Sequence, residues 1–398
     1  YNICGVKDPA ALEKRIVEQA NEMEPTIRPI INIFKYKGKY LLAIEVPELD
    51  TFNKPCFYKG KGKFKGSYIR VGEADLPMTE YEIYSYDAFK HKAEDELRTN
   101  SRLDINTFNE NFLNSFISKA TIIKPNLMNL DKLTLSKING FLDNKEQPTI
   151  CGIMLFGKYP QLISPNLDII AVKCSTNEYG IEDSNGVRFI DNKRLDGSIP
   201  QMLQAAINFI QSNMKRSTVI SKQGKREDVS EYPLKAIREI VLNALIHRDY
   251  SIHTENEPIR IIMYNDRIEI SNPGGLYGRL TLDELGKTKS DVRNPFIAAA
   301  LEIMEVTENR YSGIPTIYSE MKTAGLLSPK FENSRGSFKV TLFNEKKNNA
   351  IDDDFILKIT AFCSVPRSKN VLAKEFGFDE KHPSHFINNY ILPLIEKG

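Results

Sequence analysis

The sequence predicts an α+β protein of several domains, and three observations lead there. A chain of 398 residues is longer than one hydrophobic core usually organises. Strand-like and helix-like runs alternate along it with no internal repeat. Polar breaks, the clearest over 345–354, then divide the runs into groups. The divisions expected are 1–92, a helical connector over 93–148, a central module over 149–344 and a C-terminal segment over 351–398. With 41% hydrophobic and 27% charged residues the chain has the balance of a globular protein. Its formal charge of +2 leaves any nucleic-acid binding to local basic patches. Five cysteines without a Cys-x-x-Cys pair disfavour a zinc ribbon or a disulfide framework and suit a reducing, cytoplasmic setting. No apolar run approaches membrane-spanning length, so no membrane association is expected. Residues 1–6 read as the middle of a strand, and 394–398 follow a helix-like run closely. Both ends therefore read as cuts within domains.

Taken in order, the first region has a helical run at 10–20 and strand-like runs at 30–34, 40–46 and 67–71. Polar, helix-rich sequence follows over 94–142. Residues 149–157, Thr-Ile-Cys-Gly-Ile-Met-Leu-Phe-Gly, form a short apolar run that reads as a strand, and 168–174 reads as another. Residues 199–214 look helical and 217–231 look like a polar loop. Pro233 suits the opening of the next helix, where its missing N–H costs nothing. Leu234, Ile237, Ile240, Val241, Ala244 and Leu245 recur there at helical spacing and mark a buried face. Strands at 259–264 and 267–271 flank Asn265-Asp266, a hairpin-like turn. The turn at 272–275, helices at 294–304 and 315–324, and a strand at 337–343 complete the module. Beyond the break, 353–362, 368–376 and 383–395 have the spacing of a helix-turn-helix with the last run as recognition helix. A small helical cap is the alternative.

Chemistry concentrates in the central module. Glu239 and Asn243 stand four residues apart, hence one above the other beside the apolar face. A carboxylate that orients water and a carboxamide oxygen that holds Mg²⁺ suit a nucleoside triphosphate site. In the turn Asn272-Pro273-Gly274-Gly275, a side-chain oxygen can meet a base while the glycines let backbone approach it. Ser312-Gly313, before a helix, offers N–H groups to phosphate. Each feature alone reads as a solvated face or an ordinary turn. Together and in order, with Gly336-Ser337 opening the last strand, they read as one site. His247, Arg248 and Asp249 fit either a cleft edge or a helix-end hydrogen-bond cluster. Gly286-Lys287-Thr288 imitates a P-loop, but Thr281 stands where the first glycine is required. No helicase box is present, so the chain is not expected to be a helicase by itself.

These motifs, "REIVLNALIHRDY", "DRIEISNPGGL", "RNPFIAAALEIMEVTENRYSGI" and "GSFKVTLF", resemble the Bergerat-fold (GHKL) ATPases of the gyrase and histidine kinase group. More narrowly they resemble the divergent ATPase module of bacterial proteins labelled RecG-related helicases or transcriptional regulators. The resemblance covers about 149–343. It implies an α/β sandwich binding ATP and Mg²⁺, with Glu239 acting on water and Asn243 as the Mg²⁺ ligand. Asn272 and Gly274 would form the adenine turn with Gly275 beside them. Arg293 and Asn294 would sit in a lid over the phosphates, with a structural salt bridge as the equal alternative, Ser312 and Gly313 in the second glycine motif, and Ser337 near adenine. Asn272 replaces the wider group's Asp and Leu276 its second glycine, which implies nucleotide binding with at most weak hydrolysis.

The stretch 54–70, "KPCFYKGKGKFKGSYIR", interleaves lysines with aromatics. Lys59, Lys61, Lys63, Lys65 and Arg70 can neutralise phosphates, and the aromatics can stack on bases. A solvated hairpin with inward aromatics is the alternative. With "LLAIEVPE" and "MTEYEIYSY", the stretch resembles the second half of a Schlafen AlbA-type domain, a nucleic-acid-binding module. By that resemblance Asp8 would match the domain's remaining acidic position, and one carboxylate does not make a nuclease site. The whole is read as an α+β multidomain chain: partial Schlafen AlbA-type domain, Bergerat-fold ATP-binding module and partial winged helix. The expected function is a nucleotide-gated DNA-binding regulator, a homo-oligomer. The alternatives are an ATP-dependent nucleic-acid processing enzyme, either ATPase or Schlafen-like nuclease, and a degenerate interaction scaffold.

Overall fold

The computed structural model of the chain describes residues 3–71, 73–101, 103–162, 165–220, 226–288, 291–307, 313–334, 336–346, 353–378, 383 and 386–395. They fall into two compact units, 1–344 and 345–398. Among the described residues no helix is long and apolar enough to cross a membrane.

The first unit opens with α1 (Pro9–Asn21), whose N-terminus is capped by Asp8 through the Ala11 N–H at 3.0 Å. Asp8 is thus a capping carboxylate. After β1 (Met23–Glu24), the strands β2 (Ile30–Tyr36) and β3 (Lys39–Glu45) pair as a ribbon. Lys37 and Gly38 join them with φ of 48° and 78°, the two-residue turn that matches strand twist. β4 (Phe57–Tyr58) pairs with β1, then α2 (Gly62–Gly66) leads to the pair β5 (Tyr68–Val71) and β6 (Ala74–Pro77). α3 (Glu80–Lys90) follows behind a Thr79–Glu82 capping box.

α4 (Glu110–Ile123) and α5 (Lys132–Ile138) precede α6 (Ile150–Phe156). The strand expected at 149–157 is therefore a helix. All seven residues of α6 are buried, so apolar side chains occur on every side and no helical period appears in the sequence. Thr149 caps it, accepting the Gly152 N–H at 3.0 Å. Leu113, Phe116, Leu135 and Phe141, from the segment read as a connector, belong to the same buried cluster as α6.

β7 (Ile169–Cys174) and β8 (Phe189–Leu195) begin a six-stranded mixed sheet, and α7 (Ile199–Asn213) follows. The polar loop expected at 217–231 is a hairpin of β9 (Arg216–Ile220) and β10 (Arg226–Ser230). Polar composition does not prevent two segments from satisfying each other's backbone groups. Then come α8 (Leu234–His247), β11 (Ile259–Met263), β12 (Arg267–Pro273), α9 (Pro295–Ile303), α10 (Gly313–Thr323), β13 (Lys330–Ser334) and β14 (Ser337–Phe343).

The sheet order is β13-β14-β12-β11-β7-β8, with β7 and β11 parallel and the other neighbours antiparallel. Side chains alternate between its faces. Ile169, Ala171, Ile261, Ile268 and Ile270 join the core under α7 and α8, while Val172, Cys174 and Tyr264 form a small cluster on the opposite face. α10 packs along α8.

The second unit has α11 (Asp353–Phe362), α12 (Lys369–Glu375) and a π-helical segment, Ile387–Ile391, continuing as a short helix, Leu392–Ile395. Ile359, Leu372, Ala373 and Phe386 are its buried centre.

Candidate functional site

A cavity of about 540 Å³ lies between α8, the ends of β12 and β14, and the segments 275–292 and 313–315. The helical spacing of α8 buries Ile237, Ile240, Val241 and Ala244 and leaves Glu239 and Asn243, one turn apart, half-buried at the cavity wall. Asn243 Nδ2 donates to Glu239 Oε1 at 3.2 Å, which turns the carboxamide oxygen away from the carboxylate. Gly313, the first residue of α10, approaches both: a Cβ there would collide with Glu239 Oε1 and lie 3.1 Å from Asn243 Nδ2. Ser312, expected beside it, lies outside the described residues.

Asn272, next to last in β12, is 5% exposed and on the face that lines the cavity. Its Nδ2 donates to Pro273 O at 3.2 Å and Gly274 O at 3.4 Å, and among the described residues Oδ1 accepts no hydrogen bond. Phe338 stands opposite Asn272 in the β12–β14 register and also lines the cavity. Ser337 does not. One residue earlier on the strand, it takes the other face, where its Oγ donates to Ser334 O at 3.2 Å. Ser337, expected near adenine, thus lies off the cavity, and Phe338 takes the lining position on this strand.

The turn after Asn272 is held by close packing. Gly274 has φ +95°, its N–H donates to Gly336 O at 2.6 Å, and a Cβ there would lie 2.8 Å from Asp249 Cβ. That conformation and that space require glycine. A Cβ on Gly275 would lie 2.6 Å from Asn333 Oδ1, which accepts the Leu276 N–H at 2.9 Å. Leu276, the departure from the wider glycine pattern, lines the cavity with Tyr277.

Arg293 and Asn294 lie outside the cavity lining, and Arg293 takes the salt-bridge alternative in place of a lid. Arg293 Nη1 donates to Asp249 Oδ2 at 2.9 Å and Nη2 to Gly275 O at 3.1 Å, with the guanidinium 4.8 Å over the Tyr277 ring. Asn294 Nδ2 donates to Ile246 O and Arg248 O, both at 2.7 Å, tying α9 to the end of α8. Burial alone would raise the Asp249 carboxyl, but Arg293 and hydrogen bonds from Tyr81 and Ser251 hold it below its usual range. Arg248 is buried and donates to Thr254 O at 3.1 Å, so Arg248 and Asp249 form the helix-end cluster. His247 lines the cavity, and burial, then the nearby Arg293 charge, pulls its pKa down to about 4.

Several residues here were not legible as site residues. Phe338 reaches the cavity from a strand whose pairing with β12 is long-range, and Asn333 holds the turn from the neighbouring edge strand β13. Gly286 and Thr288, from the P-loop imitation, line the cavity. Glu96, 1% exposed, accepts the Phe296 and Ile297 N–H groups at 2.9 Å each and so caps α9 from a distant segment. Among the described residues no cluster of three or more His, Cys, Asp or Glu could hold a metal ion.

The basic stretch lies apart from the cavity and is largely internally paired. Lys59 donates to Asn21 O at 3.0 Å and lies 3.7 Å from Glu24; Lys63 pairs with Asp87; Arg70 pairs with Asp75 at 3.0 Å. Lys61 donates to Tyr68 Oη at 3.3 Å, over the Tyr68 ring. Lys65 is exposed, as are Phe64 and Tyr68, at 66% and 44%. The inward-packing alternative does not describe these two rings.

Residues 256–342 match the family described as "Putative ATP-dependent DNA helicase recG C-terminal". The match spans β11 to β14 and both glycine-bearing segments, and supports an ATPase-like domain. No curated protein matches the chain. The crystal structure of the DIP2311 protein from Corynebacterium diphtheriae is similar over 97% of this chain and 76% of that one, with 18% identity and a TM-score of 0.48.

Proposed function

We propose that this protein binds ATP·Mg²⁺ in the cavity beside α8 and that binding gates DNA-binding regions of the same chain, as in a transcriptional regulator. The observation that carries the reading is the convergence of Glu239, Asn243, Asn272, Gly275 and Gly313 on one cavity. Asn272 presents Oδ1 as an acceptor suited to the amino group of adenine, because its Nδ2 is occupied by backbone carbonyls. Phe338 and Leu276 give the base apolar walls. The amide end of α10 at Gly313 suits phosphate. The Asn243 carboxamide oxygen, whose Nδ2 is engaged by Glu239, would be the protein's ligand to Mg²⁺, with phosphate and water oxygens completing its shell. When bound, Mg²⁺ neutralises phosphate charge. Glu239 accepts from Asn243 and is placed to orient water, a role that supports slow hydrolysis. Lys59, Lys61, Lys63, Lys65 and Arg70, around exposed Phe64 and Tyr68, are the proposed DNA contacts, with the C-terminal unit as a second.

Calorimetric titration with ATP and Mg²⁺ tests the site: wild type should saturate, and Asn243→Ala should lose the Mg²⁺-dependent part of the affinity. Absence of saturable binding by the wild type would end the nucleotide reading. The competing reading, an ATP-driven nucleic-acid processing enzyme, is favoured by Glu239 lying against Asn243. It requires phosphate release that Glu239→Ala abolishes while binding survives.

A further inference from the structure

We infer that α3 is docked onto the cavity by two positioning residues, Tyr81 and Phe89, and that nucleotide occupancy and the docking of α3 are thermodynamically coupled. The inference rests on the nucleotide reading of the cavity and names the path by which it reaches the N-terminal region.

Tyr81 Oη donates to Asp249 Oδ2 at 2.7 Å, the same oxygen that receives Arg293 Nη1 at 2.9 Å. The Arg293 guanidinium continues to Gly275 O, which lies in the turn lining the cavity. Two charged groups thus connect a phenol on α3 to the turn's backbone, and both are almost wholly buried, with side-chain exposures of 7% for Arg293 and none for Asp249. The Tyr81 ring also fills the space over Gly336: a Cβ there would lie 2.5 Å from Cε1. Gly336 O receives the Gly274 N–H, so Tyr81 touches both sides of the turn. Two turns along the same helix, Phe89 sets its ring edge-on to Tyr277 at 5.4 Å. Tyr277 lines the cavity and carries Arg293 on its face.

A rigid helix held at both ends by residues that contact the cavity wall has a preferred seat that depends on that wall. Charge-assisted hydrogen bonds in a dry setting are among the stronger side-chain contacts. Linkage is reciprocal: if nucleotide tightens the turn and thereby seats α3, then loosening α3 must weaken nucleotide binding by the same factor.

The test uses the full chain, with calorimetry for ATP·Mg²⁺ affinity and hydrogen exchange of the α3 amides with and without ATP·Mg²⁺. Tyr81→Phe keeps the ring over Gly336 and removes only the hydroxyl, so it should fold. We expect ATP to slow α3 exchange in the wild type. Tyr81→Phe should weaken ATP binding about tenfold, within the range of measured couplings, and abolish that protection. Phe89→Leu, acting at the other end, should weaken binding in the same direction. If wild type binds ATP while α3 exchange is unchanged and both variants bind as tightly as wild type, the coupling is overturned and the nucleotide site stands. If wild type does not bind ATP, both fall. A lowered melting temperature with unchanged ATP affinity would make Tyr81 structural only and also overturn the coupling.

Discussion

At Gly274 a positive φ and a neighbouring side chain meet, and the consequence is measurable. Gly274→Ala must place a methyl 2.8 Å from Asp249 Cβ at φ +95°. The expected cost is about 1–3 kcal/mol of unfolding free energy, read by urea titration, with loss of nucleotide affinity. His247 supplies a pH dependence. Its pKa falls from 6.5 in the unfolded chain to about 4 in the fold. A depressed histidine contributes stability that is fully present above about 6.5 and is lost as pH falls toward 4. His247→Asn should flatten the stability profile between those values, measured by urea unfolding across that range. Which residues gather was legible at this scale, since Glu239, Asn243 and Asn272 all line one cavity. Direction was not. Ser337 and Phe338 differ by one position on a strand, and only the register with Asn272 decides which faces inward. Arg293 reads equally as a lid residue and as a structural salt bridge, because nothing local announces that Asp249, far back in the sequence, holds its charge.

Among the elements, those with clear period or clear boundaries were legible. Helix α8 has an apolar stripe, and β11 and β12 alternate across a turn. Helix α6 had neither advantage, being buried all round, and the Thr149 cap was its one local sign. Helix α9 depends on a group that sequence does not place near it. Burial raises the Glu96 carboxyl from 4.5 to about 7, against the pull of the two α9 amides. A carboxyl raised in the fold contributes stability that is complete below about 4.5 and is lost as pH climbs through 7. That loss is about 3 kcal/mol by the usual conversion. Glu96→Gln should therefore make stability less sensitive to pH between 4.5 and 7. The slope is opposite in sign to that of His247, so each variant is compared with wild type at matched pH. A Gln profile that parallels wild type would sink the prediction.

For the whole molecule, the interleaving of helices and strands was legible, and the six-stranded order was not, because β7 meets β11 and β12 meets β14 through pairings separated by whole helices. The proposed DNA surface belongs to this scale. Lys59 and Lys63 already have acidic neighbours, whereas Lys65 is exposed. Neutralising Lys59, Lys61, Lys63 and Lys65 together should weaken binding to DNA of any sequence. It should also lower the salt slope by roughly one for each phosphate contact removed. Single substitutions should rank Lys65 above Lys63, since freeing Lys63 for a phosphate breaks its pairing with Asp87. Fluorescence anisotropy at several salt concentrations decides this. Equal affinity and slope for the quadruple variant would exclude the surface.

The bond from Gly274 N–H to Gly336 O joins two residues of positive φ that have no side chains to exchange. That contact lies just outside the cavity lining, is written in main chain and offers almost nothing to substitution. A library meant to change which ligand the cavity accepts would waste its diversity there. Its informative positions are Asn272 and Phe338, which face each other across the ladder and can be varied as a pair.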